Sequence, residues 1–326
     1  MTPPARPRRR AAIVYNPIKV DRAKLEKSVG EAEKTAGWAK SLWLETTESE
    51  PGGGLAQKAV ADGVEVVLAA GGDGTVRAVA EGLRGTGVAI ALLPAGTGNL
   101  LARNLDLTLS HMDESVLTAF TGTDRAIDLG LVEIVRPGGE TENHAFVVMA
   151  GMGLDAKMIA NTNPELKKRV GWLAYADAIV RSLRDSNQLR ITFRADDAAP
   201  RSMRAHTVLV GNCGSLPGNI LLLPEAAVDD GVFDIVTLRP EGFVGWAQIW
   251  VKIVWENGVL RRSSVGRKLM GQSREIRTLR YLKAATFEVT LDRAEEFELD
   301  GDEFGLVTRF RAEIDPGALT VRVPAT

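Results

Sequence analysis

The residues best suited to chemistry in this sequence form the glycine-rich run Gly71 to Thr75, whose one charged member is Asp73. The run follows an apolar segment that predicts a strand and precedes residues 76–83, which predict a helix. Backbone N–H groups at the start of a helix lack intrahelical partners and carry partial positive charge, so such a turn can bind phosphate. Asp73 would place a carboxylate where phosphate and a divalent cation meet. The alternative is a tight strand-to-helix turn with a capping aspartate.

A second turn of the same kind occupies residues 95–99, between a predicted strand at 89–94 and a predicted helix at 100–105. Ligands of open parallel sheets bind outside the carboxyl ends of the strands, so we expect both turns at one edge of the sheet. Thr97 and Asn99 offer a hydroxyl and an amide to a nucleotide. Two such turns in succession predict a nucleotide-phosphate site.

The elements that must position these turns alternate between strand and helix up to residue 127, with strands expected at 11–15 and 41–44 and helices at 22–36 and 55–61. This alternation predicts a doubly wound parallel α/β domain over residues 11–127. From residue 128 to 315 the sequence turns β-rich, which predicts an all-β sandwich. The strands expected there are 127–135, 144–150, 189–195, 205–211, 232–238, 285–291 and 309–314. A helical insertion is expected at 164–186.

Composition favours a two-domain enzyme, because 326 residues exceed one ordinary core. A net charge of −2 gives no drive towards nucleic acid, and we predict no such partner. The single cysteine, Cys213, excludes an intramolecular disulfide and fits a reducing compartment. No apolar stretch approaches the roughly 20 residues that span a bilayer, so we predict a cytoplasmic protein.

Taken in order, the motifs resemble those of the diacylglycerol kinase catalytic-domain family, which includes bacterial lipid kinases and sphingosine kinases. Besides the two turns, the matching segments are Asn16-Pro17, the acidic turn 229–234, Leu-Asp-Gly-Asp at 299–302 and the closing segment 316–319. The resemblance spans about residues 13–323. It implies an active site in the cleft between the two domains, with the chain end, 316–326, returning to the first domain.

The resemblance implies an ATP-dependent phosphotransferase, and neither a P-loop nor the protein-kinase signatures occur in the sequence. The residues thereby assigned to the nucleotide are Asn16, Thr46, Gly71, Gly72, Asp73, Gly74, Thr75, Thr97, Asn99 and Asp302. The neighbouring Thr47 leaves the register at Thr46 open.

The proton acceptor implied by the resemblance is Asp300, with Asp73 as the second catalytic acid. An aspartate within reach of the attacking hydroxyl can act as general base. The alternative is a solvated acidic hairpin tip. Asp302 stands where the family more often has Glu, and its shorter side chain leaves its role open.

A structural Mg²⁺ is also implied, in addition to the Mg²⁺ that accompanies ATP. Its ligands would be the carboxylate of Asp230 and the backbone carbonyls of Ala227 and Val232. One carboxylate plus carbonyls and waters can satisfy Mg²⁺. A metal-free Asp-Gly turn is the alternative.

An aromatic segment at 243–259 and a basic run at 261–283 suit an anionic membrane interface. Trp246 and Trp250 fall on one helical face, and packing on the sandwich is the alternative. We therefore expect a peripheral protein at the inner membrane face, and the resemblance implies a membrane-lipid substrate, with diacylglycerol as first candidate. A sphingoid-base kinase, an NAD kinase and a non-catalytic regulator are the alternatives, and a homodimer is left open.

Overall fold

The computed structural model describes residues 9–153, 188–216, 220–223, 225–239 and 279–325. The chain divides into two compact units, Met1–Leu129 with Asp315–Thr326, and Gly130–Ile314. The predicted helix at 164–186, the aromatic segment at 243–259 and most of the basic run lie outside the described residues.

The first unit is a parallel sheet with helices on both faces, as the sequence predicts. Its strands are β1 (Ala11–Tyr15), β2 (Leu42–Glu45), β3 (Val66–Gly71) and β4 (Ala89–Pro94), and its helices are α1 (Arg22–Ala36), α2 (Gly53–Ala61), α3 (Asp73–Leu83), α4 (Leu100–Asn104) and α5 (Met112–Thr121). The helices α1 and α5 pack on the strand face that carries Ile13 and Leu68. The pair α2 and α3 packs on the opposite face, beside Val14.

The strand order β2-β1-β3-β4 sets the place where a ligand can bind. The chain moves outward from β1 to β2 and then crosses back to β3 on the other side of β1, so β1 and β3 flank the point where the winding reverses. Open α/β sheets bind ligands in the crevice at that switch point. Near the end of the chain, Val321 pairs in parallel with Ile90 on β4.

Local signals explain why the helix bounds were predictable. Asp21 caps α1 by accepting the backbone N–H of Lys24 at 3.2 Å, and Gly37 ends the helix in the left-handed region with φ 72°. Both are the residue types that these positions favour. The sequence does not predict the helix α5, because its apolar stripe is short. Packing stabilises this helix: Phe120 lies edge-on against Trp38, with ring centroids 5.1 Å apart.

The second unit is built from antiparallel strands. They are β5 (Thr123–Val135, which begins in the first unit), β6 (Thr141–Phe146), β7 (Met149–Met152), β8 (Leu189–Ala195), β9 (Arg201–Ala205), β10 (Thr207–Gly211), β11 (Ser215–Leu216), β12 (Ile220–Leu221), β13 (Phe233–Leu238), β14 (Leu279–Ala284), β15 (Thr286–Leu299) and β16 (Asp302–Val323, whose end belongs to the first unit). Hydrogen-bonded neighbours run in the order β14-β13-β10-β7-β15, with β8 and β9 beyond β15. Stacked Phe146 and Phe233, 5.5 Å apart, anchor the core. This is the predicted β-sandwich.

Two predicted strands of this unit are wrong in detail. Residues 144–150 and 205–211 were each expected as one strand, and each is two. The first is interrupted at Val147 and Val148, whose N–H groups donate to the carboxylate of Asp300 instead of a neighbouring strand. The predicted segments 285–291 and 309–314 belong to the longer strands β15 and β16, which meet at a turn formed by Asp300 and Gly301.

Candidate functional site

The first glycine-rich turn joins β3 to α3 within two residues. Gly71 ends the strand, Gly72 caps the helix with extended backbone, and Asp73 is the first helical residue. A side chain at Gly71 would place its Cβ 2.6 Å from the side chain of Thr75, which is itself buried. The turn therefore requires glycine for packing, and it brings the N–H groups of the first helical turn, including that of Gly74, to the edge of the sheet.

The second turn is shaped by Asn99, which lies in the left-handed region with φ 49°. Its side chain accepts the N–H of Gly96 at 3.0 Å and donates to the carbonyl of Gly96 at 3.0 Å. Arg103 donates to the carbonyl of Gly98 at 2.6 Å, and Thr97 is exposed at the tip. The Asn99 amide, predicted to face a nucleotide, thus also holds the backbone of its own turn.

The carboxylate of Asp73 ties the two turns together. Its two oxygens accept the backbone N–H groups of Asn99 at 2.9 Å and Leu100 at 2.6 Å. A third link runs from the N–H of Ala95 to the carbonyl of Gly71 at 3.0 Å. The sequence predicted that Asp73 would face phosphate and cation, but it did not predict that the same carboxylate positions the neighbouring turn.

The two turns also touch through glycine backbone. A Cβ on Gly96 would lie 2.7 Å from the Cα of Gly72, so the two turns lie against each other with no room for a side chain between them. A Cβ on Gly72 would lie 2.5 Å from the ammonium of Lys19, which shows that this cation rests against the first turn. The structure therefore places backbone amides and a positive side chain at one spot, which suits an anion.

Asn16 and Thr46 lie at the ends of the strands next to this spot. The N–H of Asn16 donates to the carbonyl of Ala70 at 2.9 Å, which fixes Asn16 beside the end of β3. Thr46 is buried, and its backbone N–H donates to the backbone carbonyl of Tyr15 at 2.9 Å. The hydroxyl of Thr47 instead accepts the N–H of Glu50 at 3.1 Å in a local turn. Of the two threonines, Thr46 is therefore the one that is hydrogen-bonded to the end of β1.

In the second unit, Asp300 is buried and its carboxylate is held by backbone. Its oxygens accept the N–H groups of Val147 at 2.9 Å, Val148 at 2.8 Å and Met149 at 3.0 Å. Asp300 itself has φ 52° and is 2% exposed, so it is no solvated hairpin tip. Three donors therefore fix the direction of the carboxylate.

Asn212 and Cys213 hold the backbone segment that binds Asp300, and no local sequence pattern predicts this. Both donate their backbone N–H to Val148, at 2.8 and 3.1 Å, and the Asn212 side chain donates to the carbonyl of Val147 at 3.1 Å. Burial, followed by the charge of Asp300, raises the pKa of the Cys213 thiol, which keeps it neutral. Cys213 therefore packs here and does no thiolate chemistry.

The remaining predicted residues lie at turns of the second unit. Asp302 is exposed and pairs with Leu299 across the hairpin. Asp230 is exposed and accepts the N–H of Val232 at 3.3 Å, and Ala227 precedes it in the same turn. Within the described part of the chain, no cluster of three or more His, Cys, Asp or Glu residues could hold a metal ion.

Replacing Gly96 with Ala is expected to weaken ATP binding at least tenfold and to lower the melting temperature. The new methyl must push apart two backbones, and overpacking of this kind costs about 1–3 kcal/mol. Nucleotide titration and thermal unfolding measure both effects. Gly30→Ala is the matched control, because a Cβ at Gly30 in α1 meets nothing within 4 Å. Equal ATP affinity in Gly96→Ala and Gly30→Ala would contradict the contact between the turns.

Comparison with known protein families accounts for both units. Residues 10–132 match the diacylglycerol kinase catalytic domain, and residues 147–249 match the YegS C-terminal NAD kinase beta sandwich-like domain. A Pseudomonas aeruginosa protein named "Probable lipid kinase YegS-like" is 31% identical over 275 residues, covering 83% of this chain and 80% of its own. One from Pseudomonas fluorescens is 31% identical over 304 residues, covering 90% and 89%.

Solved structures show the same fold. A diacylglycerol kinase from Bacillus anthracis superposes with a TM-score of 0.64 at 18% identity, covering 97% of this chain and 96% of its own. An NAD kinase from Archaeoglobus fulgidus in complex with ATP superposes with a TM-score of 0.50 at 12% identity, covering 96% and 93%. These two likenesses concern the fold alone.

Proposed function

This chain belongs to the diacylglycerol kinase catalytic-domain family of YegS-like lipid kinases, and we propose that it phosphorylates the hydroxyl of a membrane lipid alcohol with Mg-ATP. Diacylglycerol, which would yield phosphatidic acid, is the first candidate substrate. The observation that carries the proposal is the Asp73 carboxylate, which locks two glycine turns together at the switch point of a parallel sheet.

On the nucleotide side, the chain supplies position and charge. Phosphoryl transfer requires little covalent chemistry from a protein, and it depends on fixed phosphates and neutralised charge. The N–H groups of the first turn of α3 and the ammonium of Lys19 would hold the phosphates. Mg²⁺ bound with ATP would neutralise the charge that develops on the transferred group. Gly72, whose missing side chain would point at the Lys19 ammonium, would let the phosphates approach the backbone there.

On the lipid side, we propose Asp300 as the group that accepts the proton of the attacking hydroxyl. Its orientation by three backbone N–H groups supports this role. The oxygen Oδ1 accepts from Val148 and Met149, whereas Oδ2 accepts from Val147. Asp302, exposed two residues later, is a candidate to assist nucleotide binding.

The substrate would come from an anionic membrane surface at the inner face of the membrane. The aromatic segment at 243–259 and the basic residues after it support this proposal at the level of sequence. Among the helices that the structure describes, none is long and apolar enough to cross a bilayer.

The test is a lipid-panel assay with the purified chain, Mg²⁺ and ATP labelled in the γ-phosphoryl group. Diacylglycerol, a monoacylglycerol and a sphingoid base are each presented in neutral and in anionic vesicles, and NAD⁺ is presented in solution. We expect label in phosphatidic acid, with a faster rate from anionic vesicles that falls as salt screens the surface charge. Label in the sphingoid base alone would change the substrate class. Label in NAD⁺ alone, or ATP binding with no transfer to any acceptor, would overturn the proposed function.

A further inference from the structure

The acidic turn of the second unit faces a lysine from the neighbouring strand. Asp234 is the second residue of β13 and is buried, and its direct partner across the antiparallel ladder is Lys283 of β14. The ladder register therefore brings Lys283 to the turn that contains Asp230 and Gly231. Gly231 adopts φ 74°, which bends the chain so that Asp230 and Asp234 lie near the same cation.

Three oxygen atoms of described residues lie near the Lys283 ammonium. Its Nζ lies 3.3 Å from Oδ2 of Asp234 and 3.5 Å from Oδ2 of Asp230, and it donates to the carbonyl of Glu225 at 3.3 Å. The carbonyl of Glu225 accepts a hydrogen bond from this ammonium, and the two carboxylates pair with it through charge. The side chain of Asp234 is 7% exposed, which makes this cation its charge partner within the protein.

A resident Mg²⁺ fits this arrangement poorly. Mg²⁺ requires close to octahedral oxygen ligands at about 2.0–2.1 Å and favours negative charge. The one carboxylate of the implied ligand set, that of Asp230, already pairs with Lys283, so the ion would have to share it with a like charge. The other implied ligands, Ala227 and Val232, offer uncharged carbonyls only.

We propose that the Lys283 ammonium is the resident cation of this turn and takes the place of the implied structural Mg²⁺. The sandwich unit then needs no metal to hold residues 225–234, and Mg²⁺ serves the nucleotide alone. Two carboxylates lie within 3.5 Å of this ammonium, and one of them, that of Asp234, is buried.

Thermal unfolding without nucleotide tests the proposal, with Mg²⁺ alone as the probe. We expect the wild-type melting temperature to be the same in EDTA and in millimolar Mg²⁺. Lys283→Met should lower it by several degrees in EDTA, because a buried carboxylate loses its partner. Millimolar Mg²⁺ should then restore part of the loss, and Lys283→Met combined with Asp234→Asn should be more stable than Lys283→Met alone.

Arg280→Met removes another cation from β14 and is the matched control, with no Mg²⁺ response expected. Lys283→Arg keeps a charge at the turn and should remain insensitive to Mg²⁺. A wild-type melting temperature that rises with Mg²⁺, in a manner that Asp230→Asn abolishes, would overturn the proposal. A Lys283→Met chain as stable as Arg280→Met in EDTA would overturn it as well. The proposal does not rest on kinase activity, so its failure leaves the proposed function untouched.

Discussion

Asp73→Asn is expected to reduce phosphoryl transfer at least 100-fold and to lower the melting temperature by several degrees. The carboxylate accepts the N–H groups of Asn99 and Leu100 with separate oxygens. An asparagine keeps one acceptor and turns an NH₂ donor towards the other N–H. Hydrogen bonds to charged groups are worth about 1.5–3 kcal/mol each, and the buried donor left unpaired adds its own cost. The second turn then loses its fixed distance from the first.

Steady-state kinetics, ATP titration and thermal unfolding measure the three consequences separately. Asp62→Asn, an exposed aspartate at the end of α2, is the matched control and should behave as wild type. A stable Asp73→Asn chain that binds ATP normally but does not turn over would limit Asp73 to the chemical step and contradict the positioning role. Turnover within a few-fold of wild type would remove Asp73 from the site.

Asp300→Asn is expected to reduce turnover by about 10²–10⁴-fold, the range typical of losing a general base. ATP affinity should survive, because the nucleotide turns belong to the first unit. Some stability should be lost as well, since an asparagine cannot accept all three N–H groups that reach the carboxylate. The dependence of rate on pH separates the loss of a base from the loss of a structural contact. Loss of a base removes the acid limb of the profile, whereas loss of a structural contact lowers the rate at every pH.

Asn212→Ala supplies the control for a purely positional effect. It removes the side-chain bond to the carbonyl of Val147 and leaves the Asp300 carboxylate in place. We expect a milder loss with the acid limb preserved. If Asn212→Ala and Asp300→Asn lose the same activity with the same profile, Asp300 is a positioning residue and the base lies elsewhere. Asp302→Asn, exposed in the same hairpin, should be the mildest of the three.

The sequence alone predicts the architecture of the first unit, because its local patterns there agree with the tertiary packing. The apolar run of β3, the glycines that follow it and the amphipathic α3 all demand the same strand–turn–helix path. The capped helix α1 was predictable for the same reason. The family resemblance rested on these local motifs, and the comparisons confirm it.

Contacts between distant residues were decided by the tertiary structure. Asp73 meets the amides of residues 99 and 100, Asp300 those of 147–149, and Lys283 meets Asp230 and Asp234 across a ladder. The sequence shows where a carboxylate occurs but not which groups donate hydrogen bonds to it. These hydrogen bonds and ion pairs join residues that are far apart in the sequence, and no local pattern encodes them. The residue types determine the available chemistry, while the fold decides whether a carboxylate joins two turns, is held by backbone amides or pairs with a lysine.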